Sequence, residues 1–194
     1  KEAWEKTDLD EAPASIESFL QDQIQIANRE LHRHSQTHEE CEGMGTTIVA
    51  VLCTERSATI VNVGDSRCYL FNEDGFKQVT EDHSLVNELV RSGQISKEDA
   101  EHHPRKNVIL RALGTEATVE VNVRTIVFEE RDLLLLCSDG LSDKLSEAEI
   151  RDILMSGQSL DEMADTFIQR ANDNGGEDNI TLAILLHNFE SERG

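Results

Sequence analysis

The strongest constraint on what this chain can fold into is the shortness of the links between its first apolar runs. Thr46–Cys53 is nearly all apolar and rich in β-branched residues, Glu55-Arg56-Ser57 breaks it, and Ala58–Val63 resumes the pattern. Arg67–Phe71 follows, and Asn72-Glu73-Asp74-Gly75 turns the chain into Phe76–Val79. Short β-branched runs bounded by polar breaks read as strands. A parallel crossover takes a dozen or more residues, so strands joined by so few must be antiparallel. The first run alternates little, which predicts cover on both of its faces.

Helical signals surround these hairpins. Ile16, Phe19, Leu20, Ile24, Ala27 and Leu31 recur at steps of three and four, predicting a helix over 14–35. The polar stretch His34–Gly45 then reads as a loop. Thr80–Thr118 departs from the strand rhythm: it is helical near 83–91 and 96–101, then runs through His102-His103-Pro104-Arg105-Lys106-Asn107. It reads as a partly ordered insertion between strands, a kind of segment that often carries function. Val119–Phe128 and Asp132–Cys137 read as strands. Ser146-Glu147-Ala148-Glu149 and Ser159-Leu160-Asp161-Glu162 match the S-x-x-E capping box, which opens helices over 147–155 and 160–173. A loop over 172–177 leads to a last strand, 179–186. Lys1–Ala12 is acidic and aperiodic, a loop, and the polar tail from His187 reads as frayed. Strands in hairpins with helices set between the blocks make an α+β fold with antiparallel sheets.

The core must rest on Ile, Leu and Val, because aromatics are only 4% of the chain. Its 194 residues suit a single domain, 1–194. Asp and Glu number 39 against 18 Lys and Arg, a formal charge of −21. Such a surface repels nucleic-acid phosphates, so nucleic acid is excluded as a partner. It repels phosphorylated substrates too, unless bound cations reverse the local sign. No apolar run approaches the roughly 20 residues that span a bilayer. The four cysteines, Cys41, Cys53, Cys68 and Cys137, form no C-x-x-C pair and suit a reducing, cytoplasmic setting.

Three acidic motifs share one position, the end of an apolar strand beside a glycine: Gly64-Asp65-Ser66-Arg67, Ser138-Asp139-Gly140 and Gly176-Glu177-Asp178-Asn179. Carboxylates at strand ends are held rigidly, and neighbouring glycines leave room for an ion. Asp65, Asp139 and Asp178 converging on one point would make a hard, oxygen-lined site for Mg²⁺ or Mn²⁺. Asp143, one turn beyond Asp139, is a weaker candidate. Each of these Asp residues is also an ordinary turn former or helix cap. His32, His34 and His38 form H-x-H-x₃-H, but they follow a helix in a polar stretch and read as its solvated last turn. Cys137 lacks the downstream arginine cradle of a cysteine phosphatase and reads as a buried structural thiol. The G-x-S-x-G elbow and the G-x-x-x-x-G-K-[ST] loop are both missing from the sequence.

Taken in order, five stretches resemble the metal-dependent protein phosphatase 2C family in its bacterial, Bacillus-like branch. They are Gly43-Met44-Gly45-Thr46-Thr47, Val63-Gly64-Asp65-Ser66-Arg67, Thr80-Glu81-Asp82-His83-Ser84, Cys137-Ser138-Asp139-Gly140-Leu141 and Gly175-Gly176-Glu177-Asp178-Asn179-Ile180-Thr181. The insertion with His102-His103-Pro104-Arg105 is similar to the family's flap. The resemblance implies a sandwich of two antiparallel β-sheets flanked by helices, with a flap near 80–118. It implies hydrolysis of phosphoserine and phosphothreonine in proteins by a hydroxide bridging two Mn²⁺ or Mg²⁺ ions, with a third ion in many members. Asp139 and Asp178 would hold the catalytic ions and Asp65 the third. Arg105 and Lys106 in the flap would steer the phosphoprotein. Implied partners are phosphorylated proteins, including a cognate serine/threonine kinase, for an enzyme that is monomeric at full length. The family also opens with R-x-x-N-E-D and D-G-M-G-G-H, which this sequence lacks, so the chain is expected to be the C-terminal part of a catalytic domain. That absence leaves a second reading open, a non-catalytic phosphatase-like binding or regulatory module. The motifs assign no general acid and no substrate-binding residue.

Overall fold

The computed structural model describes residues 12–188. The readings made for residues 1–11 and for the tail beyond 188 lie outside them. A long helix α1 (Pro13–Thr37) comes first, with proline where the first turn needs no N–H donor. A short 3₁₀ turn (Glu39–Cys41) follows, then β1 (Ile48–Cys53), β2 (Ser57–Val63), β3 (Arg67–Asn72) and β4 (Gly75–Gln78). The insertion holds α2 (Leu85–Arg91) and α3 (Lys97–Glu101). The chain ends in β5 (Asn122–Val127), β6 (Leu133–Cys137), α4 (Asp139–Ser142), α5 (Glu147–Leu154), α6 (Leu160–Asp173) and β7 (Leu182–Leu186).

The strands make two sheets, ordered β1-β2-β5 and β4-β3-β6-β7. Every pairing between these strands is antiparallel. The strand period explains the layering. Ala58 and Ile60 of β2 face Cys68 and Leu70 of β3 and Leu134 and Leu136 of β6, closing a core between the sheets. The other face of β2, Val61 and Val63, packs with Ile24 of α1 and with Leu113 and Val119. The other face of the second sheet, Tyr69, Leu133, Leu135 and Cys137, is covered by Leu141, Ile150, Ile153, Met163 and Phe167 from α4, α5 and α6. The result is a helix, sheet, sheet, helix stack, as expected of the α+β sandwich. β1 itself is only half-buried; the strands sealed most fully on both faces are β2 and β6.

Two strands, β5 and β7, start three residues later than the sequence pattern suggests, and side chains explain why. The Val119 carbonyl accepts from the Gln25 amide of α1, so it is drawn to the helix before β5 begins. At the start of the last strand, the Ser138 hydroxyl donates to the Asn179 carbonyl (3.1 Å) and accepts from Thr181 N–H (3.1 Å). The insertion is tied down more than expected. Isolated bridges pair Thr46 with Leu113 and Ser84 with Ile109. Fully buried Asn28 of α1 donates to the Glu116 carbonyl (3.0 Å) and accepts from Gly114 N–H (2.8 Å).

Candidate metal centre

Asp65 sits in the link between β2 and β3, with each of its neighbours fixed by a different element. Gly64 has φ +108°, and a Cβ there would stand 2.3 Å from Thr47 Cγ2, so only glycine fits. Its carbonyl accepts from His83 N–H (2.9 Å), and its own N–H donates to His83 Nδ1 (3.0 Å). The Ser66 and Thr47 hydroxyls share a hydrogen bond of 2.9 Å. Arg67 donates to Asp82 through Nε (2.9 Å) and Nη2 (2.7 Å), a paired, mostly buried contact. Arg67 Nη1 also donates to the Tyr69 hydroxyl at 3.2 Å.

Asp139 opens α4 directly after β6, and its Oδ1 accepts from Gly140 N–H (2.9 Å). Asp178 lies just before β7, and its Oδ1 accepts from Asn179 N–H (2.7 Å). The two segments are stitched together. β6 and β7 pair out to Cys137 opposite Leu182. Beyond them Ser138 N–H donates to the Thr181 carbonyl at 3.0 Å. Gly140 lies against the backbone of Asp178 and Asn179, where no side chain would fit.

Electrostatics link these carboxylates. The Asp65 carboxyl is pushed up to about 6, by burial first and next by the charge of Asp139, with Asp82 adding a smaller push. Asp139 is also raised, by burial first and then, against the Gly140 hydrogen bond, by Asp178 and Asp143. Negative charge is thus gathered from the ends of β2, β6 and the loop before β7. Asp65 and Asp139 are half-buried and Asp178 is exposed. Among the described residues, no three His, Cys, Asp or Glu side chains already stand as a ligand set for one ion. The donors are nevertheless hard oxygens whose shared charge a bound divalent cation would relieve, which fits Mg²⁺ or Mn²⁺ chemistry.

Other readings resolve differently. His32 is not simply solvated: its Nδ1 lies 3.1 Å from the Gly114 carbonyl, holding α1 to the end of the insertion. His34 and His38 stack on each other at 3.9 Å between ring centroids. All four cysteines are free thiols, and burial pushes Cys137 up to about 12, the opposite of an activated nucleophile. The Arg67–Asp82 pair and the Lys106–Asp143 contact (3.2 Å) were not legible from the motifs. Both join residues far apart in the chain, and neither leaves a pattern in the sequence.

Comparison with known proteins converges. Residues 2–91 match the family model "Protein phosphatase 2C". The chain is 49% identical over 188 residues to the serine/threonine phosphatase stp of Listeria innocua, covering 97% of this chain and 75% of that protein. Among solved structures it is similar to the serine/threonine phosphatase Stp1 of Staphylococcus aureus, with TM-score 0.90 and 39% identity over 96% of this chain and 72% of that one. The catalytic domain of the phosphatase PstP, solved in complex with two manganese ions, gives TM-score 0.81 and 32% identity over 94% of this chain and 76% of that one.

Proposed function

We propose how the site works from one premise: the chain belongs to the protein phosphatase 2C family. Like the relatives it resembles, it is a metal-dependent serine/threonine phosphatase, hydrolysing phosphoserine and phosphothreonine in proteins. Asp139 and Asp178 hold the catalytic ions, and Asp65 holds a further one, with Asp143 a weaker candidate beside it. When bound, divalent ions supply Lewis acidity and lower the pKa of water towards about 7.

The chain's own part is placement and charge. Gly140 N–H and Asn179 N–H each fix one oxygen of the adjacent carboxylate, so the remaining oxygen is oriented for a ligand. Two like charges 4 Å apart repel by about 4 kcal/mol near a protein surface. The carboxylates alone would therefore turn a phosphate away, and neutralised by cations they admit it. Lys106 of the insertion adds positive charge beside Asp143, and with Arg105, its neighbour in the chain, it steers the phosphoprotein.

The observation that carries this reading is the stitching of the Asp139 and Asp178 segments, where Ser138 bonds to Thr181 and Asn179 and Gly140 lies against the Asp178 and Asn179 backbone; the charge of Asp139 acting on Asp65 accords with it. The ions are Mn²⁺ or Mg²⁺, and the protein works as a monomer in the cytoplasm. Its substrates must be made by a serine/threonine kinase, which is the implied counterpart and signalling partner. No helix among the described residues is long and apolar enough to cross a membrane. The alternative of a non-catalytic module is not favoured, because the relatives are named as serine/threonine phosphatases.

The test is Asp139→Asn in the full-length protein. Hydrolysis of a phosphothreonine peptide with Mn²⁺ should fall by at least about 100-fold, since even outer partners of a metal site are worth about 10- to 100-fold. The melting temperature without metal should stay near that of the wild type. Turnover within a few-fold of wild type would overturn the assignment.

A further inference from the structure

We propose that His83 is a positioning residue for Asp65: by holding both backbone polar groups of Gly64, it sets where the neighbouring carboxylate points. This rests on the reading of Asp65 as a metal ligand. Gly64 N–H donates to His83 Nδ1 at 3.0 Å, and His83 N–H donates to the Gly64 carbonyl at 2.9 Å. One residue therefore closes both hydrogen-bonding groups of the residue before Asp65. Gly64 has no room to shift the other way, because Thr47 fills the space a Cβ would take.

The histidine is itself built in. It is 8% exposed. Nδ1 accepts from Gly64 N–H, and the Asn122 side chain is a further hydrogen-bond partner of the ring. The Arg111 guanidinium lies 3.0 Å from Nε2 and is held in turn by Glu120 at 2.7 Å. Burial first, and then Arg111, hold the ring below its ordinary pKa, so it stays neutral and Nδ1 stays an acceptor. The His83 carbonyl accepts from Leu110 N–H at 2.8 Å, which hooks the returning arm of the insertion to the same point. Among the described residues His83 bonds to Gly64, Leu110, Arg111 and Asn122 and to none of the proposed ligands, so its effect on an ion would pass through Gly64.

A side chain that offers an acceptor at the δ position should do the same work. Asn places its amide oxygen where Nδ1 stands, whereas Gln carries it one bond farther out and Ala has none. The experiment is calorimetric titration of the full-length protein with Mn²⁺, alongside its melting temperature without metal, for wild type, Asp65→Asn, His83→Asn, His83→Gln and His83→Ala. Asp65→Asn should remove one class of bound ion. His83→Ala and His83→Gln should weaken that class by about 10- to 100-fold, and His83→Asn should bind it within a few-fold of wild type.

If Asp65→Asn leaves the ion count unchanged, the ligand reading fails and this proposal with it. If Asp65→Asn removes an ion but the His83 variants bind as wild type does, the ligand reading stands and the positioning role is overturned. Loss of melting temperature with unchanged Mn²⁺ affinity would likewise mark His83 as structural only. If His83→Ala does not fold, the comparison of Asn with Gln decides: equal affinities overturn the proposal, and a gap in favour of Asn supports it.

Discussion

A Cβ at position 140 would stand 2.4 Å from the Asn179 carbonyl oxygen, a backbone atom that cannot swing aside. Gly140 is thus the residue that lets the loop carrying Asp178 lie on the start of α4. Gly140→Ala should push that loop outward and separate Asp139 from Asp178, while β6 and β7 keep their ladder. The expected outcome is Mn²⁺ affinity weaker by about 10- to 100-fold, measured by calorimetry, with the far-UV circular dichroism of a folded protein. Wild-type affinity would mean that the close approach does not set the site. The glycine of S-D-G was visible in the sequence as room for an ion; the structure gives it a different role, room for a second strand end. That distinction depends on Asn179, 39 residues further on, and no local pattern carries it.

The elements were read more easily than their contacts, and the reason lies in how far each signal reaches. Capping boxes are local, and both form as the S-x-x-E spacing predicts: Ser146 with Glu149 and Ser159 with Glu162. The short β1–β2 and β3–β4 links allow only antiparallel pairing, whereas the equally short link over 64–66 pairs nothing and carries the chain from one sheet to the other. The start of β5 was misjudged because the Val119 carbonyl goes to Gln25, 94 residues away. The same holds in the site. Asp65, Asp139 and Asp178 stood out from strand ends and glycines, yet the hold of His83 on Gly64 and of Asp82 on Arg67, on either side of Asp65, is purely tertiary. At this scale the helical layer over the second sheet is the part most open to test. Phe167 of α6 is fully buried among Leu135, Ile150 and Met163. Phe167→Ala should destabilise by about 3–5 kcal/mol through lost burial and the cavity left behind, read as a shifted denaturation midpoint with unchanged slope. A loss under about 1 kcal/mol would mean that α6 can collapse onto the sheet, against the packing described.

For the whole molecule, the governing quantity is a formal charge of −21. A field of that size acts on a substrate before any side chain touches it, and salt reaches it readily, since the screening length is about 10 Å at 0.1 M. The proposed ions would act locally, at Asp139 and Asp178, and so would serve the phosphate itself. The residues flanking that phosphate meet a surface of net negative charge, relieved locally by basic side chains such as Lys106 and Lys144. Two phosphothreonine peptides should therefore separate in opposite directions. At low salt, a peptide with basic flanks should show the higher kcat/KM, and raising KCl from about 25 to 200 mM should lower it several-fold as attraction is screened. A peptide with acidic flanks should start lower and rise over the same range. Because screening acts on approach, the change should sit in kcat/KM, with kcat nearly constant. If both peptides fell together, salt would be weakening the bound ions; if neither moved, the global charge would have no part in choosing substrates.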